Sequence, residues 1–213
     1  MTISDDQSML PATVRSPAAV MGDRATKARN LILETSKRLF LELGYGGTRI
    51  EKIAEACGIS RAGFYTYFAS KRDVFLAIGE TSYREFQTLV DNFDTEMPNP
   101  CTPSDIEGWV RHYFEFMDEH GAFVLGAGQS GPNDEDLKDA VRRIHPKAAR
   151  RLGKMIRARQ ASPHGDETAL GLTVFAMLDR TWYFVHGARY PVDEDAIVAT
   201  AVEAIAALLG TDR

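Results

Sequence analysis

The 213-residue chain is 44% apolar and 26% charged with a formal net charge of −5, values of an ordinary globular protein that exclude collagen-like, disordered and coiled-rod readings. Only Cys57 and Cys101 are available for sulfur chemistry, and no apolar run nears the ~20 residues of a membrane span, which excludes a disulfide framework, a four-cysteine zinc site and a transmembrane helix. Charge is uneven: Met1–Asp23 carries −2, Arg24–Arg72 carries +6 and Asp73–Arg213 carries −9, the asymmetry of a small polyanion-binding module joined to a larger acidic domain.

The first residues mix Ser, Thr, Pro and Ala with few large apolar side chains, so a flexible arm is expected over 1–22. That stretch lacks the basic start and apolar core of a signal peptide, and a cytoplasmic location is expected. From Asp23 to Leu43 the apolar residues Ala28, Leu31, Ile32, Leu39, Phe40 and Leu43 recur at helical steps, and Gly44 stops the helix. Thr48 and Glu51 have capping-box spacing, predicting a second helix through Ile50, Ile53, Ala54 and Cys57 that ends at Gly58. Ser60 is a good N-cap for a third, short helix in which Phe64 and Phe68 form the buried stripe, leaving Tyr65 and Tyr67 exposed. Ser70 caps a fourth. Helices are predicted at about Lys71–Asn92, Ser104–Glu119, Asp134–Gln160 with a break or kink at Pro146, Asp166–His186 and Val192–Leu209. No period-two run nominates a strand, so the fold class is all-α, with a domain boundary near 70/71.

Two short helices joined by a glycine turn make a helix-turn-helix, whose second helix lies in the DNA major groove. Arg61 is then placed to donate a bidentate pair to guanine, Thr66 to touch a thymine methyl, and Gly63 to let the backbone come close. Tyr65, Tyr67 and Lys71 are assigned to phosphates, so Lys71→Ala is expected to weaken binding on every sequence and to lower its salt dependence.

The stretch from Ala25 to about Ile78, with Gly44-Tyr45, Thr48, Ile53-Ala54, Gly58-Ile59-Ser60, Phe64-Tyr65-Thr66-Tyr67-Phe68 and Ser70-Lys71, closely resembles the DNA-binding domain of the TetR family of bacterial repressors. The resemblance implies a homodimer reading a palindromic operator in double-stranded DNA, with a helical C-terminal domain, 71–213, that binds a small-molecule effector and releases the DNA. It places Arg61, Gly63, Tyr65, Thr66, Tyr67 and Lys71 at DNA and Thr48-Arg49 at phosphate. The sequence departs from the family pattern at Arg49, where Ser or Thr is usual, and at Ala62-Gly63, where Gly-Thr is common.

The C-terminal body is rich in aromatic and sulfur side chains, which suits either dense packing or an apolar pocket between helices. The resemblance favours a pocket, with Trp109, Tyr113, Phe116, Met117, Phe123, Phe175, Trp182 and Tyr183 as effector-binding candidates. Ala199, Ala201, Ala204, Ala206 and Ala207, with Val202, Ile205, Leu208 and Leu209, make the last helix apolar around much of its circumference. Either it is buried within one chain or it pairs, with the helix before it, across a twofold four-helix interface; the latter suits the homodimer.

Three patterns compete with this reading. Gly126–Gly131 is literally G-x-G-x-x-G, but Pro132 follows at once and no parallel strands are available, so a loop is expected rather than a dinucleotide site. His112, Glu115 and Glu119 share a helix face and read as a solvated polar face, with no metal or cofactor expected. The base-rich stretch Arg142–Arg159 reads as an amphipathic helix buried at Ala148, Leu152, Met155 and Ile156 rather than a second nucleic-acid patch. The alternatives are an enzyme using the aromatic cavity, against which stands the lack of any nucleophile–base pair at useful spacing, and an effector-independent DNA-binding protein.

Overall fold

The computed structural model describes residues 22–127 and 135–210, side chains at 127 and 135–144 excepted. Its α-helices are α1 (Asp23–Gly47), α2 (Ile50–Ala56), α3 (Arg61–Tyr65), α4 (Lys71–Glu96), α5 (Pro103–Ala127), α6 (Glu135–Arg159), α7 (Glu167–Trp182) and α8 (Glu194–Leu209), with one π-helical turn, Tyr183–Gly187, after α7. The described residues contain no strand, and the fold is all-α. The arm expected over 1–22 lies, Gly22 apart, outside the described residues.

The described residues form two compact units, one within Met1–Tyr83 and Ala122–Val141, the other within Arg84–Gly121 and Arg142–Arg213. The division falls inside α4 rather than at 70/71. Its cause is apolar burial: Val74, Phe75, Leu76 and Ile78, the first turns of α4, are part of the same core as Ile32, Phe40, Ile53 and Phe64.

In the first unit the Phe75 ring lies 5.7 Å from Phe40, 4.8 Å from Tyr45 and 4.9 Å from Phe123, spacings at which aromatic edges and faces attract. The helical run of α1 breaks at Gly44 (φ 72°), where the sequence predicts its stop. Gly58 turns the chain from α2 to α3 at φ +66°, a left-handed conformation that a side chain disfavours, while the Ile59 N–H bonds back to the Ala54 carbonyl at 3.0 Å. Ser60 caps α3 by accepting from the Gly63 N–H at 3.0 Å. Ser70 and Asp73 close α4 reciprocally: the Ser70 hydroxyl donates to the Asp73 carboxylate at 2.9 Å and accepts from the Asp73 N–H at 3.1 Å.

In the second unit α6 and α7 approach through small residues: a Cβ on Gly171 would collide with the Ala149 carbonyl. Asp166 and Asp193 cap α7 and α8, accepting from Ala169 N–H at 2.9 Å and Ala196 N–H at 3.2 Å. Two boundaries differ from expectation. Helix α5 runs past Glu119 to Ala127, its Gly121 lying beneath the Trp182 ring where a larger residue would not fit, so tertiary packing carries the helix through a local breaker. Helix α6 continues through Pro146 as one element, with Pro146 on its exposed side. No helix among the described residues is long and apolar enough to cross a membrane.

Candidate functional site

The face of α3 divides as the aromatic pattern predicts. Phe64 and Phe68 are 0% and 4% exposed, and their rings lie tilted against each other within the first unit at 6.1 Å between centroids. Burial of these two turns Arg61, Ala62, Tyr65 and Thr66 outward, and Arg49 and Lys52 of the neighbouring helix start are exposed as well. Tyr67 departs from expectation: it is half-buried and packs against the core. Gly63 holds the Ser60 cap, and a Cβ there would sit 3.3 Å from the Ser60 hydroxyl. Arg61 does not float free. Its Nη1 pairs with Glu51 at 3.0 Å, and its Nη2 donates to the Tyr65 hydroxyl at 3.4 Å. Tyr65 first and Glu51 second hold the guanidinium above its already high pKa, so it is a permanent cation on an exposed helix end.

Two residues assigned to phosphate have their side chains committed elsewhere. Thr48 is 1% exposed, and its hydroxyl donates to the carbonyls of Leu39 and Gly44 at 3.1 and 2.9 Å. The expected capping box with Glu51 is therefore absent; Arg49 is the N-cap of α2, without a side-chain bond. The carbonyls left open where α1 breaks compete for the hydroxyl and win, because burial makes them costly to leave unpaired. Lys71 likewise turns inward, its Nζ donating to the carbonyls of Tyr45 and Thr48 at 2.5 and 2.8 Å and lying 4.1 Å from the Tyr45 ring centroid. Desolvation pulls its pKa down. Lys71 is thus a clamp between the α1–α2 loop and α4, and the expectation drawn from sequence changes: Lys71→Ala should cost about 1–2 kcal/mol of stability in the first unit and leave the salt dependence of any DNA binding unaltered. Urea denaturation alongside a salt titration of binding measures both.

The second unit gathers most of the effector candidates. Trp109, Tyr113, Met117, Phe175 and Trp182 are at most 1% exposed, and Phe116 is 8% exposed. Phe86 joins them, 5.7 Å from Phe116 and 5.1 Å from Phe175. Buried among these rings, the Tyr113 hydroxyl donates to the Asp179 carboxylate at 2.8 Å, and burial lifts the Asp179 pKa from an ordinary 3.8 to about 6 despite that bond. His145, 5.7 Å from the Phe175 ring, is pushed down by burial toward the neutral form. Among the described residues the buried Trp109 indole N–H has no hydrogen-bond partner, whereas the Trp182 indole donates to Asp118 at 2.8 Å. Tyr183 is half-buried in the π-helical turn beneath Arg180. Phe123 is a correction: it packs on Phe75 and against Gly79 in the first unit, because its position near the end of α5 belongs to that core. Phe86, Asp179 and His145 are missed by sequence reasoning; the one available signal was an acid, Asp179, inside the apolar run of α7.

The competing patterns fare differently. Arg150, Arg151 and Arg159 of α6 pair with Glu167, Asp91 and Asp94, and Ala148, Leu152, Met155 and Ile156 are buried, as an amphipathic helix requires. His112 bonds Glu96 at 2.8 Å rather than joining Glu115 and Glu119. His120, 1% exposed, has its Nε2 2.7 Å from Glu85, with Glu119 alongside. The Gly-rich pattern runs beyond Ala127 and lies outside the described residues, save Gly126, which packs near Phe75.

An all-helical chain that presents a short, outward-facing helix after a glycine turn is a helix-turn-helix protein. Residues 32–78 match the model of bacterial regulatory proteins, tetR family, so the segment that holds the helix-turn-helix is similar to the N-terminal domain of that family. The HTH-type transcriptional regulator YuxN of Bacillus subtilis is 31% identical over 116 residues, 54% of this chain and 39% of YuxN. The HTH-type transcriptional repressor AcnR of Corynebacterium glutamicum is 36% identical over 72 residues, 33% of this chain and 38% of AcnR. The chain thus spans about two fifths of these curated relatives. Among solved structures, a transcriptional regulator (TerR/AcrR family) from Aquifex aeolicus has a TM-score of 0.60 at 21% identity, covering 85% of this chain and 99% of that one. The structure of AibR in complex with isovaleryl coenzyme A and operator DNA has a TM-score of 0.61 at 18% identity, covering 83% and 97%. These likenesses extend the shared fold beyond residues 32–78.

Proposed function

We propose that this protein is a ligand-responsive DNA-binding transcriptional regulator, a repressor released from a palindromic operator when a small, largely apolar molecule binds its C-terminal domain. The observation that carries the reading is the polarity of α3 and the turn that follows it: Phe64 and Phe68 buried, Arg61, Tyr65 and Thr66 exposed, with a permanent cation at the N-terminal end of a helix shaped for the major groove. Tyr65 and Thr66 are the companions of Arg61 at the bases and phosphates, and the exposed Arg49 supplies a phosphate contact at the start of α2. Gly63 keeps the Ser60 cap and the close backbone approach, and the half-buried Tyr67 offers its hydroxyl edge. The AcnR relative is named a repressor and AibR was captured with both an acyl-CoA and operator DNA, which supports the ligand-responsive form of the reading.

The second unit suits an effector of mixed character. Its aromatic interior offers an apolar body-binding surface, and the Asp179 carboxyl and the Trp109 N–H, which has no partner among the described residues, offer two polar anchors. Trp109, Tyr113, Phe116, Met117, Phe175 and Trp182 are the proposed lining, with Tyr183 at its edge. The outer faces of α7 and α8 carry Ala169, Leu172, Ala176, Ala196, Ala199 and Ala207, all exposed, small and apolar residues that fit a twofold helical interface in a homodimer. An effector displaces the DNA only through its difference in affinity between the two arrangements of the protein.

Mobility shift and fluorescence anisotropy on genomic fragments, repeated with a metabolite library, test the reading. Specific, salt-sensitive binding reversed by a small molecule is expected; irreversible binding favours an effector-independent DNA-binding protein, and no binding overturns the proposal. Arg61→Ala should cost about 1–3 kcal/mol at one guanine-containing position of the operator and relax preference there. Comparing selected sequences for wild type and variant measures it.

A further inference from the structure

We infer that Glu51 is a specificity-determining residue: paired with Arg61 across the α2–α3 turn, it holds the guanidinium for a base edge and discourages its use as a plain counter-charge on phosphate. The inference rests on the reading of α3 as the helix that enters DNA. The geometry is a three-part arrangement. Glu51 Oε1 lies 3.0 Å from Arg61 Nη1, the Tyr65 hydroxyl lies 3.4 Å from Nη2, and the Tyr65 ring centroid is 5.8 Å from the guanidinium carbon. Glu51 comes from the first turn of α2 and Arg61 opens α3, so the pair bridges both helices of the motif. The Arg61 and Glu51 side chains are 62% and 56% exposed, which places the pair on the surface rather than in the core it does not help to fill.

A carboxylate on a surface that meets a polyanion needs a reason. On random sequence an arginine acts only through its charge, and Glu51 cancels that charge locally while adding repulsion toward phosphate. At a guanine the acceptors O6 and N7 carry no formal charge, so the repulsion is small and orientation decides the contact. Neither Glu51 nor Tyr65 engages Nε. Tyr65 takes one hydrogen bond from Nη2 while Glu51 biases the guanidinium by charge at Nη1, which leaves enough of its five N–H groups for a bidentate contact. Glu51 therefore weakens non-specific binding more than specific binding, and specificity is that ratio.

The test uses the full chain and Glu51→Gln, which keeps shape and removes charge. Two duplexes of about three helical turns serve as probes, one selected by the wild-type chain from a random library and one with the same bases scrambled. Anisotropy is read over a salt series. Glu51→Gln should raise affinity for the scrambled duplex about three- to tenfold and steepen its log–log salt slope by about one, while the selected duplex changes less than threefold. In the Arg61→Ala background the change in ratio should vanish. An equal rise on both duplexes, an unchanged ratio, or a change in ratio that persists without Arg61 overturns the inference while the regulator reading stands. A wild-type chain that binds no duplex overturns the regulator reading, and this inference with it. An unchanged melting temperature confirms that the variant folds.

Discussion

Asp179→Asn is expected to stabilise the second unit by about 2 kcal/mol at pH 7.5 and to flatten its stability between pH 4 and 6. The cause is desolvation: burial raises the Asp179 pKa from 3.8 to about 6, against the opposing pull of the Tyr113 bond and Arg180. The direction follows from proton linkage. Below pH 3.8 both folded and unfolded chains hold the proton, so the group costs nothing. Between 3.8 and 6 the unfolded chain releases it while the folded chain keeps it, and stability falls as pH rises; above 6 the penalty is constant. A two-unit rise corresponds to about 3 kcal/mol, reduced to about 2 because the residue is not fully buried. Asparagine keeps an oxygen to accept from the Tyr113 hydroxyl, now 2.8 Å from the carboxylate, and carries no charge to desolvate. Thermal melts of both proteins at pH 4, 5, 6 and 7.5 measure the difference; parallel curves would falsify the assignment. A carboxylate retained where it destabilises the fold is a candidate for binding work, which is why Asp179 anchors the proposed effector site.

The first unit was legible because its signals are local. Gly44, Gly58, Ser60 and Ser70 act within four residues of themselves, and each terminates or caps a helix where the sequence places it. Thr48 and Lys71 were misread for the complementary reason. Their partners are carbonyls at Leu39, Gly44, Tyr45 and Thr48, exposed to competition only once α1 breaks and α4 packs beside it, while their spacing from Glu51 and Ser70 imitates a cap and an anion site. In the larger unit, Tyr113 and Asp179 meet from positions 66 residues apart, and no periodicity links them. Phe123 shows the limit of composition: it is as aromatic as Phe116 and lies on the same helix, yet α5 contributes to both units and Phe123 falls beyond the division.

Phe64→Ala should destabilise the first unit by about 3–5 kcal/mol, the usual cost of emptying a buried phenylalanine site, and abolish binding to every DNA sequence. Phe64 is wholly buried and meets both Phe68 and Tyr65, the latter edge-on at 5.7 Å. It is the main anchor of a helix only five residues long, too short to persist without tertiary support. Losing it releases Arg61 and Tyr65 from their register together, so discrimination and general affinity disappear as one. Phe64→Leu, which retains most of the buried volume, should cost about 1 kcal/mol and keep binding. Arg61→Ala provides the contrast, since an exposed side chain leaves stability within about 0.5 kcal/mol of wild type while changing which sequences are preferred. Urea denaturation followed by the tyrosine and tryptophan signal, with anisotropy on the same samples, separates the two classes. A Phe64→Ala protein as stable as wild type, or one that still discriminates between duplexes, contradicts the claim that burial of this ring is what orients the outward face of α3.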